Sequence, residues 1–104
     1  MIEKEAVEEP ANENQKTRVY PNPFSDNLVI EYYNKNAADH ISTEVYDMNG
    51  RLIVTRQYQS LPVGSNRFLI NSLGNANGNG VYIVTIRVNG AVTETHTVLR
   101  RTIK

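Results

Sequence analysis

Cysteine is absent from this chain of 104 residues. That absence removes disulfide staples, thiolate metal sites and cysteine nucleophiles together, although it assigns no compartment. Long apolar runs are missing too. No stretch approaches the roughly 18 consecutive apolar residues of a membrane-crossing helix, so direct membrane insertion is not expected. Histidine is scarce, with only His40 and His96, 56 positions apart. The segment after Met1 is acidic and lacks the apolar core of a secretory signal. The expectation is either a protein that stays inside the cell or an excised piece of a longer, exported one.

Net charge is also missing, because 11 basic residues balance 11 acidic ones. The balance is uneven along the chain. Residues 1–16 carry Glu3, Glu5, Glu8, Glu9 and Glu13 against Lys4 and Lys16. Neither part is charged enough to predict a nucleic-acid partner. A small basic group, Arg100, Arg101 and Lys104, gathers at the far end. Residues 1–16, with Pro10 and almost no apolar periodicity, read as a flexible acidic linker or a segment next to a tag. Residues 17–104 read as one folded domain.

What is present is alternation of period two, the signature of half-buried strands. Leu28, Ile30 and Tyr32 share one face of Asn27–Tyr33, and Ile41, Thr43 and Val45 share one face of His40–Tyr46. The spacing predicts further strands over Arg51–Gln59, Asn66–Ile70, Val81–Val88 and Ala91–Leu99. The last alternates weakly and is rich in threonine, as suits a partly exposed edge. Two Asn-Gly pairs, Asn49-Gly50 and Asn89-Gly90, predict hairpin turns with positive φ at both central positions. Leu61-Pro62-Val63-Gly64 predicts another turn, and the polar run Asn34–Asp39 a loop. Ahead of all this, Tyr20-Pro21-Asn22-Pro23-Phe24 forms a stiff, extended entry, since each proline fixes its own φ and restricts the residue before it. Six or seven short strands without a helix pattern predict an all-β, antiparallel, Ig-like β-sandwich.

Catalytic chemistry finds no support. Ser25, Ser42, Ser60, Ser65 and Ser72 are available to a triad, but none stands in a nucleophile-elbow context. His40 and His96 read as ordinary strand residues. Asp26, Asp39 and Asp47 read as turn caps, and Glu31, Glu44 and Glu94 as solvent-facing strand positions. The loop Asn75–Gly80 has oxygen donors but no carboxylate, so no metal and no cofactor are expected there. Tyr32, Tyr33, Tyr46 and Tyr58 offer an aromatic platform for sugar rings, weighed against packing in the core. Tyr82, on the most apolar strand, is expected in the core.

Four elements stand in order along the chain. They are Tyr20-Pro21-Asn22-Pro23-Phe24 with Asp26, then Tyr46-Asp47-Met48-Asn49-Gly50-Arg51, then Gly64-Ser65-Asn66, then Gly80-Val81-Tyr82 with a hairpin and basic end. Together they resemble the type A C-terminal sorting domain of type IX secretion system cargo from Bacteroidetes. The resemblance covers about residues 19–104. It departs from the family where a short Leu-Pro-x-Gly connection is replaced by the longer loop Gly74–Gly80.

The resemblance implies a non-enzymatic address label. It implies passage through the periplasm and then the outer-membrane translocon, capture by an outer-membrane shuttle β-barrel, and removal by a sortase-like cysteine protease. The cargo then stays on the cell surface, joined to anionic lipopolysaccharide. Translocon and shuttle recognition is carried over to Val98, Leu99, Arg100, Arg101, Thr102, Ile103 and Lys104. An unpaired terminal strand there would dock by edge addition. The cut is expected within Glu9, Pro10, Ala11, Asn12, Glu13, Asn14, Gln15, Lys16, Thr17 and Arg18. Gly50 is read as a positive-φ turn residue, and Arg51 as an exposed partner of Asp47 worth little. The alternative function is an Ig-like adhesive or carbohydrate-binding module of a modular extracellular protein, favoured if Tyr33, Tyr46 and Tyr58 cluster on the surface.

Overall fold

The computed structural model describes residues 16–71, 73 and 78–102. Seven strands follow one another: β1 (Arg18–Tyr20), β2 (Leu28–Asn34), β3 (Ile41–Asp47), β4 (Leu52–Tyr58), β5 (Gly64–Ile70), β6 (Gly80–Val88) and β7 (Ala91–Arg100). They form two antiparallel sheets, one in the order β1-β2-β5 and the other β4-β3-β6-β7. No α-helix occurs among the described residues.

Alternation sorts each strand into a core face and an outer face. Leu28 and Ile30 of β2 meet Ile41, Val45, Val84 and Ile86 of the other sheet in a fully buried layer. Burying such aliphatic side chains stabilises by roughly 1.5–3 kcal/mol each, which a domain without covalent staples needs. Phe68 bridges the layers at one edge, stacked on Tyr58 with centroids 4.1 Å apart and on Tyr32 at 6.3 Å. These two tyrosines are therefore packed rather than offered to a ligand as a flat platform. Tyr82 is buried as expected.

The two Asn-Gly turns differ. Asn89 and Gly90 both take positive φ, 51° and 90°, as a two-residue hairpin between paired Val88 and Ala91 requires. At Asn49-Gly50 only the glycine does, with φ of 84°. There Gly50 N donates to Asp47 O at 3.0 Å and Asp47 N to Arg51 O at 3.0 Å, a longer loop with a bulge. The reason is the Asp47 carboxylate, whose Oδ1 accepts from both Asn49 N and Arg51 N at 2.9 Å. Asp47 is buried, so its value lies in these main-chain bonds as well as in the 3.3 Å contact from Arg51.

Other polar expectations are corrected in the same way. Asn34 is the last residue of β2 rather than a loop residue. It is fully buried, and its Nδ2 donates to Leu61 O at 2.9 Å, tying down the connection between β4 and β5. Asp39 accepts from Asn89 Nδ2, and Asp26 faces Arg100, so of the three aspartates only Asp47 caps its own turn through its side chain. Glu31 and Glu44 lie on outer faces yet are mostly covered, because each collects donors from neighbouring strands.

Candidate functional site

The opening motif and the final strand meet at one end of the sandwich. Period two places Val98 and Arg100 on the inner face of β7, both buried, and Leu99 on the outer face, half-buried. Phe24 is buried and sets its ring edge-on to Tyr82, with centroids 5.8 Å apart. Its main chain then runs parallel to the end of β7: Phe24 N donates to Leu99 O at 2.9 Å, and Arg101 N donates to Phe24 O at 2.8 Å. Asn22, between the two prolines, accepts from Leu99 N through Oδ1 at 2.9 Å. Both bonds Tyr20-Pro21 and Asn22-Pro23 are cis.

Adjacent arginines have opposite fates here. Arg100 is 7% exposed. Its Nε donates to Ser25 O at 2.7 Å and its Nη1 to Gly78 O at 3.1 Å, while Asp26 Oδ1 stands 3.5 Å from Nη2. Gly78 O also accepts from the Tyr82 hydroxyl at 2.8 Å. Arg101 is exposed, and its guanidinium has no acceptor among the described residues. Thr102 is held by Asn79 Oδ1, which accepts from Thr102 N at 3.0 Å. Pro21, Pro23, Asp26, Arg101 and Thr102 line an open pocket of about 420 Å³.

The expected recognition set thus divides. Val98 and Arg100 are spent inside the fold, Leu99, Arg101 and Thr102 lie at its surface, and Ile103 and Lys104 fall outside the described residues. The terminal strand is not unpaired, since β7 runs antiparallel to β6 from Ala91 to Arg100. Its outer edge is taken near Leu99 by Asn22 and Phe24. Of the cleavage segment, residues 9–15 lie outside the described residues. Thr17 donates to Glu94 Oε2 at 2.9 Å, and Arg18, in β1, pairs with Glu31 at 2.8 Å.

The remaining motif residues are structural in their contacts. The Tyr20 hydroxyl donates to Glu31 Oε2 at 2.6 Å, and Arg18 and Arg67 donate to the same carboxylate. The Tyr20 hydrogen bond, then that of Arg18, pulls the Glu31 carboxyl down to about 2. Burial pushes Glu44 up, but hydrogen bonds from Arg87, Tyr46 and Thr85 outweigh it, and the carboxyl ends below its ordinary range. Asn66 Nδ2 donates to Pro62 O and Gly64 O, and Gly80 opens β6. The part played by Gly78, Asn79 and the Ser25 carbonyl has no local signal in the sequence. That of Arg100 has one, because it shares the parity of Val98.

A family model of the secretion system C-terminal sorting domain matches residues 18–100, from the first residue of β1 to the last of β7. The chain belongs to this family. The sorting domain is a non-catalytic signal for outer-membrane translocation by the type IX system, and it places the chain outside the cytoplasm, among secreted proteins. Among curated proteins, none matches the chain.

Proposed function

We propose that the sorting domain is read at the closed end of the sandwich, through Leu99, Arg101 and Thr102 together with Ile103 and Lys104, by the type IX translocon and its outer-membrane shuttle β-barrel. The observation that carries this reading is the split between Arg100 and Arg101. The first is consumed by Ser25, Gly78 and Asp26, while the second is exposed beside Pro21 and Pro23 with no acceptor for its guanidinium among the described residues. Asn22, Phe24 and Asn79 fix the direction in which the chain leaves Thr102. A held exit presents its side chains at low entropic cost, which favours docking.

Residues 1–16 act as linker and 17–104 as the sorting unit. A sortase-like cysteine protease then cuts upstream of Thr17, within residues 9–16, and the cargo passes from the periplasm to the outer membrane and cell surface. Support comes from Thr17 and Arg18, whose side chains are bound to Glu94 and Glu31, so extending them into a protease cleft breaks the fold first. The test is a reporter fused to the full chain and to a form lacking Arg101–Lys104. The shorter form loses the bonds of Arg101 N to Phe24 O and of Thr102 N to Asn79 Oδ1, so it is expected to fold with a thermal midpoint lowered by roughly 4–8 °C per kcal/mol lost, and to stay in the periplasm. Unimpaired export overturns the reading. Mass spectrometry of the released domain checks the cut, which is expected to leave Thr17 and Arg18 on the domain.

A further inference from the structure

Both outer faces of the sandwich change character at the same level along the strands. On the four-stranded sheet, Leu52, Tyr46, Ile83 and Thr97 stand side by side, and Val81 and Leu99 form the next pair toward the closed end. Alternation with buried Val45, Tyr82, Val84 and Val98 turns these side chains outward. On the three-stranded sheet, Val29 stands between Tyr20 and Leu69 at that same end. Leu52 is 47% exposed and Leu69 57%, and Met48, in the turn beside Val81, is 71% exposed. None of these positions carries a charge. The next row on each face opens a charged zone. Glu31 lies between Arg18 and Arg67 on one face, and Glu44 is bonded by Arg87 on the other.

We infer that this end is a plug, a belt of apolar side chains on both outer faces, received by a concave apolar socket on one partner protein of the secretion machinery. The inference rests on the reading of the closed end given above, and adds the shape and chemistry of what reads it. Continuity, shape and charge choose the occupant. Leu99 belongs to the belt and runs directly into Arg101 and Thr102, so a partner that reaches the chain end also covers Val81 beside it. The edge of β7 near Leu99 is taken by Asn22 and Phe24, so side chains make the contact there rather than strand addition. A flat partner or a bilayer meets one outer face at a time, whereas a concave one meets both. Exposed apolar surface with a polar border is the ordinary form of a protein contact. The bordering Glu31 and Glu44 already hold their arginines, so the rim of a socket leaves neither carboxylate alone.

The test measures the export rate of a reporter fused to the full chain carrying Leu52→Thr, Leu69→Thr or both. Threonine keeps the preference for a strand, and thermal midpoints of the purified chains check that the fold is retained. Met48→Gln, in an exposed turn, gives the same readout without touching a strand. Val92→Thr is the control, an exposed apolar residue at the opposite end. Each leucine variant should export about tenfold more slowly than the parent, and the double variant more slowly still. Val92→Thr should export at the parent rate. Parent rates in either leucine variant, or an equal loss in Val92→Thr, overturn the socket. Sedimentation equilibrium tests for a second copy on the belt, and flotation with phosphatidylethanolamine–phosphatidylglycerol vesicles tests for a lipid surface. A monomer that stays off the vesicles is expected, and a dimer or vesicle binding broken by Leu52→Thr overturns the proposal. Arg101→Met, run alongside, separates the two claims. Export lost there with the belt variants unimpaired sinks the socket alone. Slow belt variants with Arg101→Met unimpaired uphold the socket and sink the role given to the chain end.

Discussion

At one end of the sandwich, segments 77 residues apart are stitched by three hydrogen bonds onto the main chain of Leu99 and Arg101, and a buried guanidinium is shared among carbonyls and a carboxylate. At the other end, Tyr32, Asp39, Glu94 and Lys35 line an open pocket. Both ends are built from loops on the same two sheets. The difference lies in how their polar groups are employed. Where backbone groups of distant segments would otherwise be buried unpaired, side chains are spent on closing them. At the open end the carboxylates of Asp39 and Glu94 accept from side chains instead, Asn89 for the first and Thr17 for the second.

The largest expected effect belongs to the closed end. Phe24→Ala should cost about 3–5 kcal/mol, since it empties a buried ring site and removes the edge contact on Tyr82. Tyr33→Ala, at the open end and half-buried, should cost far less. Urea midpoints of the two variants measure the asymmetry, and equal losses would erase it.

Next come the adjacent arginines. Arg100→Met should destabilise by about 1–3 kcal/mol by leaving buried carbonyls unpaired, whereas Arg101→Met should stay within about 0.5 kcal/mol of the parent and lose export. An export defect that follows stability alone, in both variants, would remove the distinction between them. Asn22→Ala deletes the acceptor for Leu99 N and should cost about 1 kcal/mol, roughly 4–8 °C in thermal midpoint. Amide exchange at Leu99 should accelerate, with exchange at Val88 unchanged.

The smallest effect tests a group that belongs to neither end. The Glu31 carboxyl has a folded value of about 2, below its unfolded one of 4.5. A depressed acid contributes stability that is fully present above the unfolded value and is lost as pH falls toward the folded one. Unfolding followed between pH 5 and 2 should therefore show a shallower loss in Glu31→Gln than in the parent. An unchanged slope would mean that Tyr20, Arg18 and Arg67 hold the carboxylate too weakly to matter.

The strands were legible because their signals are local. Leu28, Ile30 and Tyr32, or Tyr82, Val84 and Ile86, announce a buried face by spacing alone, and Asn89-Gly90 announces its turn by conformational preference. The predicted and observed strand limits differ by a residue or two, as hydrogen bonding at strand ends dictates. The latch was not legible in the same way. Asn22 and Leu99 are brought together by topology, and nothing near either residue names the other. Asn49-Gly50 misled because the Asp47 side chain, two positions away, selects the longer loop. Glu31 and Glu44 look solvent-facing along their own strands, but register with neighbouring strands delivers Arg18, Tyr20 and Arg67 to the first and Thr85 and Arg87 to the second, which Tyr46 of its own strand also covers.

The pairing of Phe24 with Leu99 and Arg101 also has a meaning in time. A chain made from its N-terminus cannot close this sandwich until residue 101 has left the ribosome, nearly 80 positions after Phe24. Contacts of such long separation form late and slowly. A ribosome that stops early, even within the last strand, leaves Phe24 and Tyr82 uncovered and the label unmade. The pairing of Asn22 and Phe24 with Leu99 and Arg101 is therefore made only after the last strand.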